Sequence, residues 1–462
     1  MSPRSLGAAL ALALLLPAAA GAGLSREAGW LADYLRVDTT NPPGNEAAAA
    51  ELLARLLREQ GLASERYVSP TGRVSLVARL PATVPAAPVV VLLHHLDVVP
   101  AGEGWTVPPF AGEVRDGALW GRGAIDSKGL GVAELAGFLA AARQSVRQRE
   151  LLLVAAADEE TGGGEGTAFL LARHPELFAR VEAVVGEGGV NRTVLGRTLF
   201  WGIEVAQKRP LWLDVVARGR PGHASSLNPD SATHRLIRAL ARVIDQPEVW
   251  KVTPAARRFF DALAAFDPQA RAVDADLDRI AASGRPTGSI QPGMAGLFLD
   301  TLQVTQLAGS ERINVVAGEA RAALDARLLP DTDEQAFLAA LRDRLGKDVE
   351  ASVRLASPPS PPSPAEGPVW SALATGFVGD RPGGPPVVPV FIAGITDARY
   401  FRERGIAAYG ISPFELEPPL VRTVHGPDER IPLAAFDAGV ARLVAMTIAL
   451  VGGGAGDTGA RP

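Results

Sequence analysis

The feature that most constrains this chain is a repeated event: a short apolar run that stops on titratable residues. Its clearest instance is 151–164, where Leu-Leu-Leu-Val-Ala-Ala-Ala gives way to Asp158-Glu159-Glu160, Thr161 and three glycines. An unbroken aliphatic run of this length reads as a strand covered on both faces, and glycine lets the backbone turn where the strand leaves the sheet. The acids then stand at the carboxyl end of a central strand, where open α/β sheets place their ligands. Adjacent carboxylates raise each other's pKa unless a proton or cation separates them. Glu159-Glu160 therefore reads as one general base beside one metal ligand; taken alone, the stretch is equally compatible with a solvated acidic loop.

The event recurs. The run 88–93 ends on His94-His95-Leu96-Asp97, and 181–185 ends on Gly186-Glu187-Gly188-Gly189. His95 and Asp97 are two apart, on the same side of an extended strand end, and a ligating imidazole commonly gives its second N–H to a carboxylate. Between these runs, Trp120-Gly-Arg-Gly-Ala-Ile-Asp126-Ser-Lys leads into a helix expected over 130–143. It lacks the third glycine of a phosphate cradle, and Asp126 would repel an anion at the helix start, so the carboxylate suits a metal bridge instead. A last polar loop, 423–429, carries His425.

Composition narrows the chemistry. The chain has no cysteine, which excludes disulfides, thiolate metal sites and thiol nucleophiles, and only six histidines can supply nitrogen ligands. Nitrogen and oxygen donors without sulfur suit zinc, cobalt or manganese in a catalytic site. A net charge of −5 gives no basic field for nucleic acid. Residues 1–22 have the form of an export signal, with Arg4, an apolar centre at 6–16 and Ala20-Gly21-Ala22 as a cleavage site. The periplasm or the exterior is the expected location, with an uncleaved anchor as the alternative. No later run is expected to span a bilayer.

At 462 residues two domains are expected. Helices and strands alternate over 23–207. From 208 to 357 the order, setting aside helical patches at 254–266 and 268–283, is β-α-β-β-α-β, with strands read at 211–218, 297–307, 314–328 and 349–355, which fits a small sheet with helices on one face. The proline-rich stretch 357–368 reads as a semi-rigid linker. Over 358–453 the chain returns to its first style, and 454–462 reads as a disordered tail. The fold class is thus α/β, a mixed central sheet flanked by helices, with the smaller domain inserted into the larger.

In order and spacing, His-Leu-Asp-Val-Val-Pro at 95–100, Gly-Arg-Gly-Ala-Ile-Asp at 121–126, Asp-Glu-Glu at 158–160, Gly-Glu-Gly at 186–188 and His-Gly-Pro-Asp-Glu at 425–429 resemble the co-catalytic dizinc peptidase family. That family includes aminoacylase, acetylornithine deacetylase, succinyl-diaminopimelate desuccinylase and glutamate carboxypeptidase. The resemblance implies a zinc-exopeptidase-like fold with an inserted lid or dimerisation domain, and two divalent metals, zinc first, cobalt or manganese otherwise. It implies that Asp126 bridges them, with His95 and Glu187 on one and Glu160 and His425 on the other. Glu159 would be the general base acting on a metal-bridging hydroxide, Asp97 would orient His95, and His223 would stabilise the oxyanion, in dimeric relatives from the neighbouring protomer. Asn314 and Arg327 would grip a substrate carboxylate, with Gly394 and Arg399 lining the same pocket. Ile395 and Ser231 depart from the pattern, and 250–293 resembles an insertion of carboxypeptidase-like members. The expected function is an exported dipeptidase or carboxypeptidase, with an N-acyl-amino-acid deacylase as the alternative and a catalytically silent relative that binds a peptide or acts as a dimer scaffold as a remote third; a homodimer through the inserted domain is the expected assembly.

Overall fold

The computed structural model describes residues 23–379 and 384–452. The expected signal at 1–22 and the tail at 454–462 lie outside the described residues.

A nine-stranded sheet runs in the order Ser64–Val68, Val74–Leu80, Glu150–Ala156, Val89–His95, Val181–Gly186, Ala407–Gly410, Arg197–Gln207 and Val387–Ile392, with Val190–Val194 paired beside Arg197–Gln207. Val89–His95 is parallel to both Glu150–Ala156 and Val181–Gly186, so the three apolar runs end at one sheet edge. Each residue of Val89–His95 and Glu150–Ala156 is buried, as strands covered on both faces require. One cover is the helix Lys128–Ala142, buried almost all round because Arg26–Leu35 and Leu433–Leu450 pack on its outer side. Gly137 permits that approach, since a Cβ there would lie within 2.4 Å of Thr447 Oγ1.

By length and hydropathy the helix Leu433–Leu450 could cross a membrane. Its buried Phe436, Val440, Leu443, Met446 and Leu450 recur at helical spacing and face the core, so here it serves as a packed helix.

The second sheet is antiparallel, in the order Thr301–Ala308, Glu319–Leu328, Arg209–Arg218, Val349–Ala356. Leu211, Leu213, Val215 and Ala217 alternate inward against the helices Ala232–Ile244 and Glu334–Leu345, which leaves Trp212 on the other face. The strand expected over 297–307 begins only at Thr301, because Pro292–Leu297 forms a 3-10 turn. The one expected over 314–328 is broken between Val316 and Glu319. The patch 268–283 is two helices, Pro268–Asp274 and Leu277–Ser283. With Pro254–Ala264 they bury Phe260, Val273 and Ile280 in one cluster with Val390 and Phe391 of the main sheet. The proline-rich stretch is no free spacer. Ser363 is buried, donating its Oγ to Ala408 O at 2.7 Å and its N–H to Val205 O at 2.9 Å.

Candidate active site

His95 closes the strand Val89–His95, and its Nδ1 lies 2.9 Å from the main-chain oxygen of Asp97. A carbonyl can only accept, so Nδ1 carries the proton and Nε2 is left as a ligand atom. The orienting contact expected from the Asp97 carboxylate thus comes from its carbonyl; Oδ1 stands 3.7 Å away. That carboxylate, fully buried, instead accepts the N–H groups of Glu159 and Glu160, each at 3.1 Å, and Nδ2 of Asn41 at 2.8 Å. Asp97 therefore holds the turn that presents both glutamates. The same Asn41 Nδ2 reaches Thr161 Oγ1 at 3.1 Å, and Arg73 joins Glu46 to Asp158 Oδ1 at 3.0 Å. In the sequence Asn41 marks only a proline turn; no local signal singles out this network.

Asp126 is placed by a partner 303 residues away. The buried Glu429 carboxylate accepts the N–H groups of Gly123, Ile125 and Asp126 at 3.0, 2.8 and 3.1 Å, and Arg122 Nη1 at 2.8 Å. Glu429 stands four residues after His425, so it ties the two loops together. The outcome is a shared carboxylate: Asp126 Oδ1 lies 2.9 Å from His95 Nε2, and Oδ2 lies 3.2 Å from His425 Nε2. Glu187 Oε2 is 3.3 Å from His95 Nε2, and Glu160 Oε2 is 3.3 Å from His425 Nε2. Donor atoms of His95, Asp126 and Glu160 lie within 4.8 Å of one another, as do those of His95, Glu159 and Glu187.

This donor set fits divalent cations. Four carboxylates crowd a half-buried pocket, and Glu187 and Glu159 hold their protons abnormally. Burial, with Asp126 and Glu160 nearby, pushes Glu187 up to about 7 although His95 opposes it. Burial and the charge of Glu187 lift Glu159 well above the carboxylate range. Burial opposes the charging of His95, but Glu187 and Asp126 outweigh it and raise its pKa. Hydrogen bonds donated to Asp126 and Glu160 raise His425 to about 10. A cation between such groups relieves the repulsion that otherwise forces protons onto them.

The cluster opens into a cavity of about 800 Å³. Gly394 lines it, and Trp212, Asp325, Arg327 and Arg354 of the second sheet form the facing wall. Arg327 is paired with Asp325 at 2.7 and 2.8 Å, and Trp212 Nε1 donates to the same carboxylate at 3.0 Å. Arg399 does not line this cavity: 3 % exposed, it donates to Thr396 O, Gly162 O and Tyr400 Oη behind the loop that carries Glu159. His223 and Asn314 are exposed on a ribbon formed by Gly222–His223 and Val315–Val316, and within one chain neither borders the cavity.

The profile of Peptidase family M20/M25/M40 matches residues 91–449. Aminoacylase-1A of Rattus norvegicus is 28 % identical over 424 residues, covering 89 % of this chain and 93 % of that protein. N-fatty-acyl-amino acid synthase/hydrolase PM20D1 of Xenopus tropicalis is 28 % identical over 358 residues, covering 75 % of this chain and 69 % of that one. The metallo-carboxypeptidase Sso-CP2 of Sulfolobus solfataricus shares the fold, with a TM-score of 0.66 at 18 % identity over 92 % of this chain and 99 % of that one. The strand ends, the nitrogen and oxygen donors and these likenesses agree: the chain belongs to peptidase family M20/M25/M40 and is a metal-dependent amide hydrolase.

Proposed function

We propose that this protein is an exported hydrolase of N-acyl amino acids, of aminoacylase type, that works with two zinc ions. The observation that most supports it is the convergence of His95, Asp126, Glu160, Glu187 and His425 beside Glu159, at the foot of a cavity whose far wall carries Arg327. His95 and Glu187 would hold one cation, Glu160 and His425 the other, and Asp126 both. Cations so held supply Lewis-acid polarisation of the amide carbonyl and a lowered pKa for water.

Glu159 takes the proton of the attacking water as its oxygen bonds to the carbonyl carbon. It passes that proton to the nitrogen as the C–N bond breaks, releasing a carboxylic acid and the amino acid. Its raised pKa, set by burial and by Glu187, suits a base that must also serve as an acid near neutral pH. Arg327 is placed to receive the amino-acid carboxylate. His223 would serve the oxyanion of a second copy in a homodimer built through the four-stranded sheet. A dipeptidase or carboxypeptidase would use the same groups. The likeness to Aminoacylase-1A, which covers 89 % of this chain, favours an acylated nitrogen.

The test is turnover of N-acyl amino acids against dipeptides by zinc-loaded enzyme, with Glu159→Gln in parallel. The substitution should leave metal content unchanged and lower kcat by at least about 100-fold, the scale of general-base loss. Undiminished turnover would remove Glu159 from the mechanism.

A further inference from the structure

Resting on the reading of Glu159 as general base, we propose that Arg73 is a positioning residue for it. Arg73 does not border the cavity; it acts from outside, through Asp158.

The backbone that delivers Glu159 is unusual. Asp158, the residue before it, has φ 70°. Asp tolerates this left-handed conformation when its side chain finds local partners, and the surroundings must hold it there. The far end of the turn is closed by Gly162, whose carbonyl accepts from Tyr400 Oη at 2.6 Å and from Arg399. With that end fixed, the direction of Glu159 depends on Asp158. The buried Asp158 carboxylate is held at both oxygens. Oδ2 accepts the N–H of Glu165 at 2.9 Å. Oδ1 accepts from Thr161 Oγ1, from Asn41 Nδ2 at 3.3 Å and from Arg73 Nη1 at 3.0 Å.

Of these donors only Arg73 is charged. Asp158 and Asp97 share Asn41 Nδ2, so two buried carboxylates converge on one neutral amide and repel across it. The guanidinium offsets that repulsion at Asp158, and it is itself fixed. Its Nε donates to both oxygens of buried Glu46 at 2.9 Å, and Nη2 reaches the same carboxylate. Gly44 lies flat against it, where a Cβ would sit 2.5 Å from Nε. The sheet explains the meeting. Val74–Leu80 is antiparallel to Glu150–Ala156, so the turn before one strand stands beside the loop after the other. That turn is closed by Ser69 N–H to Arg73 O at 2.9 Å, and its Thr71 Oγ1 donates to Glu165 Oε2 at 2.7 Å. One hairpin thus grips the Glu159 loop at Asp158 and again at Glu165. Joining two carboxylates from one rigid fork is what a guanidinium does and an ammonium does not.

The experiment measures kcat and KM of the full chain at saturating zinc, on whichever of N-acetyl-L-leucine and Leu-Leu is turned over faster. The variants are Arg73→Met, Arg73→Lys, Glu159→Gln and the double variant Arg73→Met/Glu159→Gln. A catalytic group displaced by about 1 Å loses on the order of 100-fold in rate, so Arg73→Met should lower kcat by roughly 30- to 100-fold. KM, set by contacts elsewhere in the cavity, should move by less than about threefold. Arg73→Lys should recover part of the loss. The double variant should be slower than Glu159→Gln by no more than about threefold, because without the base Arg73 has nothing left to place. Where Arg73→Met does not fold, Arg73→Met/Glu46→Gln, which leaves one buried carboxylate fewer without a cation, replaces it in both comparisons. A kcat within about threefold of wild type, or the same fractional loss with and without Glu159, overturns the positioning role and leaves Glu159 as base. Undiminished turnover by Glu159→Gln removes the base itself, and this inference with it.

Discussion

Glu429→Gln tests whether the site is organised through its own buried scaffold. In the structure Oε1 of Glu429 accepts the N–H groups of Ile125 and Asp126, and Oε2 accepts those of Gly123 and Arg122. Glutamine is nearly isosteric, and its carbonyl oxygen can keep the first pair. Its NH2 group then meets the Gly123 N–H and the Arg122 guanidinium, donor against donor. Two charge-assisted hydrogen bonds are lost, at about 1.5–3 kcal/mol each, so the expected destabilisation is about 3–6 kcal/mol. Arg122, 1 % exposed, is left without its carboxylate, which argues for the upper half of that range. That is a large share of the ~5–15 kcal/mol that holds a typical domain together. Urea unfolding followed by tryptophan fluorescence should show a clear drop in midpoint. Because the Asp126 N–H is one of the anchors, metal affinity should also fall by about 10–100-fold, the usual consequence of losing a group that orients a ligand. A double-mutant cycle with Arg122→Met should return a coupling above about 1 kcal/mol. An unchanged midpoint together with unchanged metal affinity would refute the claim that Glu429 positions Asp126.

Three other outcomes are expected. Removing metal with a chelator should abolish turnover and lower Tm, because a ligand bound only to the folded state stabilises it; a Tm that does not respond to zinc at saturating concentration would contradict the donor set. Arg327→Ala should raise KM more than it lowers kcat if the guanidinium holds the substrate carboxylate in ground and transition states alike; an unaltered KM would remove it from binding. Burial pulls Lys128 down to about 7 from the usual 10.5, although its ammonium donates to the carbonyls of Tyr34 and Val37. Between those two values the unfolded chain binds a proton that the folded chain has released, so this group makes stability rise with pH across that window, by up to about 1.4 kcal/mol per unit. Lys128→Met should flatten the rise measured from pH 7.5 to 9.5, and parallel curves for both proteins would count against it.

Much of the site was legible before any coordinates because its elements announce themselves locally. Runs such as 89–93 and 151–156 are apolar without alternation and too short for a buried helix, which fits central strands, and each stops on a group with chemistry. His95, Asp126, Glu160, Glu187 and His425 could be collected on that basis and by resemblance. The strand Ala407–Gly410 escaped notice: four residues long, it carries no periodicity, and it is a strand because Val181–Gly186 lies beside it.

Residue identity, strand ends and the spacing of polar loops are thus properties of the sequence alone, since burial and turning leave their mark within a few neighbouring positions. The destination of each polar side chain is not. Asp97 bonds the glutamate turn 62 and 63 residues on, Glu429 cradles a loop about 300 residues back, and Arg399 turns into the wall to satisfy Gly162. A buried carboxylate or guanidinium goes wherever it finds enough partners, and those partners exist only once distant segments have been brought together.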